Sequence, residues 1–317
     1  MTELLNEIPE NPVPKEATAE AFMAHDGKRI RYALFGATAR PLKGTVVLLP
    51  GRNECIEKYF ETISDLAARG FGIAMFDWRG QGLSDRLIRN SQRGHVNSFD
   101  SYVHDLEQFF DDIVLPDCRG PYYILAHSMG ALIALLAAPS MVNRVRRMVL
   151  IAPLLTLKST PLSMKTIRRL TATLHWTGLG RLSVRNGRRS FEPAPFANNV
   201  LTTDRHRYER NIEICRKYPQ LALGSPTAAW LHAALVACET VKDPAFMAKI
   251  HIPSLLIAAG ADIVVSTPAI EDYAKALRSG SALTIDGARH EILQETDLYR
   301  EQFLAAFDAF IPGTVEN

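Results

Sequence analysis

The stretch Tyr122–Ala138, YYILAHSMGALIALLAA, changes character halfway. It opens as an apolar run rich in β-formers, the mark of a buried strand, and closes as an Ala/Leu-rich run with helical spacing. Only Ala126-His127-Ser128-Met129-Gly130 separates the two, with no obvious loop. A strand that turns sharply into a helix at a serine lifts the hydroxyl clear of its own backbone. It also aims the following N–H groups at the charge that develops when that hydroxyl attacks a carbonyl. Strand and helix nearly touch there, so small residues are needed two before and two after the serine. Gly130 meets the usual G-x-S-x-G pattern, and Ala126 departs from it by one methyl. A plain buried serine at a strand end would give the same pentapeptide, so the reading depends on the rest of the chain.

Outward from this turn, strands and helices alternate. AEAFMAHDGKRIRYALF is two alternating runs about Asp26-Gly27, a hairpin signal. GTVVLLPG is a short continuous apolar run, as expected of a strand buried on both faces. A helix near 56–69, the strand FGIAMFDW, a polar loop and a helix near 99–113 capped by Ser98 precede the central turn. After it come the strands RRMVLIAP, PSLLIAAG and ALTID, with helices near 268–279 and 293–310. This order predicts an α/β fold: a mostly parallel eight-stranded sheet with an N-terminal hairpin and helices on both faces. The expected core domain is 19–153 with 251–317, after a flexible N-terminal arm over 1–18.

Residues 154–250 break the alternation and read as a helical cap or lid insertion. They hold 15 Lys and Arg against 6 Asp and Glu, whereas the whole chain has a formal net charge of +2. A solvated basic surface gives this pattern. So does a lid that faces anionic headgroups, and IRRLTATLHWTGLGRL mixes basic and apolar residues as an interfacial helix does.

Composition narrows the class. The 317 residues are 47% hydrophobic and 22% charged, as in a globular protein with a sizeable core. A charge so near zero gives no reason to expect nucleic acid. No apolar run reaches the length of a membrane span, and the acidic N-terminus lacks the features of a secretory leader. Cys55, Cys118, Cys215 and Cys238 show no metal spacing and read as free thiols in a reducing, cytoplasmic setting. No metal or organic cofactor is expected.

A serine hydroxyl needs a base, and the base needs an acid to orient it. LTIDGARHEI puts His290 just past the last strand, and LLIAAGADIVV puts Asp262 just past the preceding one. The order Ser128, Asp262, His290 suits this architecture. Asp286, four residues before His290, is the rival acid. His127 reads as a packing or hydrogen-bonding residue, and His95 as a loop residue at the surface or lining the site. One oxyanion donor is the N–H of Met129. The other belongs to the loop Pro50-Gly51-Arg52-Asn53-Glu54, where Gly51 permits close approach and the N–H of Arg52 completes the hole. The Arg52 side chain is then free for another partner, such as an anionic headgroup.

Four blocks, LLPGRNECIEKY, FDWRGQGLSDR with RGHVNSFDSYVHDL, YILAHSMGA and DGARHEIL, resemble the α/β-hydrolase superfamily, and within it the bacterial lysophospholipase and monoacylglycerol lipase branch. The resemblance implies a Ser128–Asp262–His290 triad, the donors Arg52 and Met129, no cofactor, and hydrolysis of a mono-acyl lipid ester. Ala126, Ala131 and Pro50-Gly51-Arg52 depart from the family's common residues. Competing readings are a carboxylesterase for small soluble esters, an acyltransferase using the same triad, and a non-catalytic binding protein. The partners implied are an amphiphilic ester and, through the basic lid, an anionic membrane surface. Nothing in the sequence sets the oligomeric state.

Overall fold

The computed structural model describes residues 4–158, 163–184 and 195–312. Its eight strands are β1 (Ala17–Met23), β2 (Arg29–Phe35), β3 (Gly44–Leu49), β4 (Phe71–Phe76), β5 (Tyr122–His127), β6 (Val145–Ile151), β7 (Ser254–Ala259) and β8 (Gly280–Ile285). They form one sheet in the order β1-β2-β4-β3-β5-β6-β7-β8. β2 pairs antiparallel with both neighbours, and every other pairing is parallel. The expected sheet and hairpin are therefore present. β3 and β7 are buried at all six positions, which explains why their sequences are continuous apolar runs rather than alternating ones.

The ends of the helices differ from the sequence reading. The 56–69 segment is a 3₁₀ turn, Ile56–Tyr59, followed by the α-helix Phe60–Ala68. The next helix runs Asp100–Phe109 and continues through a π-turn, Phe110–Val114. Ser98 lies one residue ahead of its cap position and accepts the Asp100 N–H at 3.1 Å. The last helix starts at Asp297 rather than near 293, because Ile292–Gln294 forms a 3₁₀ turn.

The N-terminal segment corrects the expectation of a free arm. From Leu4 onward it is pinned to a buried ionic cluster. The Arg31 guanidinium binds Glu57 at 2.6 and 2.8 Å, Asp77 at 2.7 Å and the Leu4 carbonyl at 2.8 Å. The Asn6 amide donates to Glu57 at 2.9 Å. A buried cation and two carboxylates must satisfy every lone pair and proton, and the segment supplies the remaining partners.

Between β6 and β7 no described residue is in a strand. The helices Met164–Trp176, Arg205–Lys217, Ala228–Lys242 and the short Pro244–Met247 occupy this stretch. No helix among the described residues is long and apolar enough to cross a membrane.

The central turn forms as the sequence demands. Ser128 has φ 51°, ψ −109°, between β5 and the helix Met129–Met141. A methyl on Gly130 would sit 2.5 Å from the Leu49 carbonyl oxygen and 2.6 Å from that of Pro50, so any side chain there forces the backbone to shift. Ala126 lies in register between Leu49 and Leu150 and is fully buried, so its methyl is accommodated inside the sheet. Gly130→Ala should lower stability by about 1–3 kcal/mol through overpacking. Urea denaturation would measure this, and Ala131→Gly, one position on, is a control for the helix itself.

Candidate active site

The positive φ at Ser128 is a strained conformation for a residue with a side chain, and three backbone bonds hold it. The Ser128 N–H donates to the Ile151 carbonyl at 2.9 Å. Its own carbonyl accepts from Leu154 N–H at 3.1 Å and Leu132 N–H at 3.2 Å. The hydroxyl stands at the carboxyl end of β5, where open α/β sheets place their ligands.

His290 lies beyond β8, and its imidazole bridges two residues. Its Nε2 is 3.1 Å from Ser128 Oγ and its Nδ1 is 2.7 Å from Asp262 Oδ2. Asp262 lies beyond β7, fully buried, and its other oxygen accepts the N–H groups of Val264 at 2.7 Å and Val265 at 3.1 Å. Burial pushes the Asp262 carboxyl up, but the hydrogen bond and charge of His290 with those two N–H groups outweigh it and hold it below the usual value. The rival Asp286 is exposed, and the His290 Nδ1 bond goes to Asp262 instead.

On the other side of the serine, the loop after β3 is built tightly. Asn53 has φ 61°, its N–H donates to Gln81 Oε1 at 2.5 Å, and its side chain accepts the Leu223 N–H at 2.8 Å. Gln81 Nε2 meets Met129 Sδ at 3.8 Å, and Trp78 Nε1 donates to the Pro50 carbonyl at 2.8 Å. The RGQG loop after β4 thus fixes the Gly51–Asn53 loop against the serine turn. The N–H groups of Arg52 and Met129 donate to no described residue. The Arg52 side chain is not free for a headgroup in this state. Its guanidinium donates to the Gly224 carbonyl and lies 5.3 Å from the centre of the Trp230 ring, while its Nε has no hydrogen-bond partner among the described residues. Burial with no carboxylate beside it lowers Arg52 to about 10.

Three residues were not assigned a role from sequence: Glu54, Lys58 and Glu291. Lys58 Nζ lies 2.8 Å from Glu54 and 2.7 Å from Glu291, in a buried ionic group. The i,i+4 spacing of Glu54 and Lys58 was a readable signal, but the link to Glu291 crosses the whole chain. His127 joins this group through Glu54 at 3.2 Å. His95 is buried rather than on the surface and bonds Thr227 Oγ1 at 3.0 Å, tying its loop to the helix Ala228–Lys242. Among the described residues, all four cysteines are free thiols, with Cys55 and Cys238 buried.

A serine at a positive-φ strand–helix turn, reached by a histidine and an aspartate from the next loops of a mostly parallel sheet, defines an α/β hydrolase. Residues 40–297 match the family described as serine aminopeptidase, S33. The chain belongs to that family, in its lysophospholipase and monoacylglycerol lipase branch, and is a serine hydrolase. It is 34% identical to lysophospholipase L2 of Escherichia coli K12 over 273 residues, 84% of this chain and 79% of that one. It is 31% identical to a probable lysophospholipase L2 of Haemophilus influenzae, covering 84% and 83%. Among solved structures, a soluble variant of the Saccharomyces cerevisiae monoglyceride lipase shares the fold, with a TM-score of 0.75 at 18% identity over 96% and 97% of the chains. A Bacillus coagulans carboxyl esterase does so with a TM-score of 0.74 at 18% identity, over 94% and 99%.

The lowered Asp262 carboxyl makes a signed prediction. Its contribution to stability is complete above its ordinary value of 3.8 and is lost as pH falls through the lower folded value. Asp262→Asn should therefore lessen the loss of stability in that acid window, read by denaturant unfolding at several pH values.

Proposed function

We propose that this protein hydrolyses the carboxylic ester of a mono-acyl lipid, a lysophospholipid or monoacylglycerol, through an acyl-enzyme on Ser128. The observation that carries the reading is the imidazole of His290 held between Ser128 Oγ and Asp262. His290 takes the hydroxyl proton as Oγ attacks the ester carbonyl, and the carbonyl π electrons move onto its oxygen. The N–H groups of Arg52 and Met129 stabilise that oxyanion. Collapse breaks the bond to the alkoxide, which leaves with the proton from His290. Water then repeats the sequence, releasing the fatty acid and restoring the serine. Asp262 keeps the imidazole in the tautomer with Nε2 free to accept, and stabilises its cation. The lysophospholipase relatives support a lipid ester over the amide that the family description suggests.

In this reading residues 154–250 are a cap over the site, and its exposed face supports contact with an anionic bilayer from the cytoplasmic side. Trp176 is 82% exposed, and Leu170, Leu179, Leu182 and Val184 are each about half exposed, beside exposed Lys165, Arg168, Arg169 and Arg181. Lipid would cover the apolar groups while anionic headgroups neutralise the basic ones.

Two sets of measurements test this reading. Ser128→Ala should abolish hydrolysis in a folded protein, and kcat/KM should rise from acetyl to long-chain esters and exceed that for an aminoacyl amide. A maximum at acetate or butyrate would point to a general esterase, and faster cleavage of the amide to a peptidase. Binding to phosphatidylglycerol vesicles should exceed binding to phosphatidylcholine, weaken with salt, and fall in Trp176→Ser. Affinity indifferent to lipid charge and to salt would leave the basic face as solvated surface.

A further inference from the structure

His127 precedes the proposed nucleophile and is buried. Its two ring nitrogens face two groups. Nδ1 lies 3.2 Å from Glu54 Oε2, and Nε2 lies 3.1 Å from the backbone carbonyl oxygen of His290. A backbone carbonyl only accepts. Glu54 also only accepts, because it already receives the Gly51 N–H, the Tyr59 hydroxyl at 2.5 Å and Lys58 at 2.8 Å. A protonated Glu54 would have to donate while surrounded by those three donors. Two acceptors facing one imidazole require both of its nitrogens to carry hydrogen.

The charges agree. The titratable groups facing His127 are Glu54, Lys58 and Tyr59 from the loop and 3₁₀ turn after β3, and His290 and Glu291 from the loop after β8. Two carboxylates and one lysine leave an unpaired negative charge in a buried cluster, and an imidazolium cancels it. Burial works against that charge, but Glu54 and then Glu291 outweigh it and raise His127 above its ordinary value, although Lys58 opposes this. Glu54 is held well below the usual carboxylate range by Lys58 and His127 against its burial.

We propose that His127 is a positioning residue, present as an imidazolium in the working enzyme, that grips the His290 main chain and locks the His290 loop to the loop carrying the oxyanion donor. The two rings lie 4.9 Å apart, so the grip acts one residue's width from the imidazole that faces Ser128. The inference rests on His290 being the base. Unlike that base, the His127 ring makes its hydrogen bonds to Glu54 and the His290 main chain rather than to Ser128. It sets where His290 stands, and a small displacement of a catalytic group costs about a hundredfold in rate.

The experiment has two arms. In the first, the full-length protein is labelled with ¹⁵N-histidine and its ring nitrogens are observed by NMR at pH 8. His127 is assigned by its absence in His127→Gln, or by the shift caused by Glu54→Gln if that variant does not fold. Both nitrogens bearing hydrogen is the expected result, and one bare nitrogen overturns the proposal. In the second arm, hydrolysis of a p-nitrophenyl ester is compared in His127→Gln, whose amide nitrogen replaces Nε2, and His127→Asn, whose amide nitrogen replaces Nδ1. The glutamine variant keeps the donor to the His290 carbonyl and should hold kcat within about tenfold of the wild type. The asparagine variant should lose about a hundredfold, with KM changed by less than about threefold in both. Equal kcat in the two variants, or asparagine the more active, overturns the positioning role. If neither folds, the nitrogen count decides. Failure of the underlying triad reading shows separately, as activity that survives Ser128→Ala.

Discussion

The backbone at Ser128 is the constraint on which the rest of the structure depends. An L-residue in that conformation is tolerated only where its surroundings leave no alternative. Here β5 ends against β6, the helix begins at once, and Gly130 packs within van der Waals reach of the Leu49 and Pro50 carbonyls. The result is a hydroxyl that stands off the sheet edge with its own N–H and carbonyl already satisfied. At that point a hydroxyl faces an imidazole, and the N–H groups of Arg52 and Met129 have no acceptor among the described residues.

Much of this was legible in local sequence. Short apolar runs, bounded by glycine, proline or turn residues, mark β3, β5 and β7, because strands buried on both faces leave no room for alternation. Ser128, Asp262 and His290 could be read because each follows a strand by a few residues, and loops at one end of a parallel sheet converge. Asp286 fails for a reason that spacing could not reveal: it sits on the edge strand's exposed loop, whereas Asp262 is under the fold.

What was not legible is long-range and polar. The anchoring of Leu4, Asn6 and Asn11 depends on Arg31 and Glu57, whose pairing no window of sequence shows. Glu54, Lys58, Glu291 and His127 form one buried cluster from three separate segments. Each alone looks like an ordinary charged or core residue. Such clusters are costly unless every member is paired, so the fold that contains one gains a rigid registry between loops rather than bulk stability. In this protein the loops so joined are those carrying His290 and Arg52.

On the proposed mechanism Ser128 attacks a carbonyl whose oxygen settles between the N–H groups of Arg52 and Met129. A crystal structure of the protein inactivated by an alkyl fluorophosphonate tests it most directly. The expected structure has phosphorus bonded to Ser128 Oγ, the phosphoryl oxygen within hydrogen-bond distance of both N–H groups, and His290 still on Asp262. Phosphorus on another residue, or a phosphoryl oxygen turned away from both amides, would contradict it.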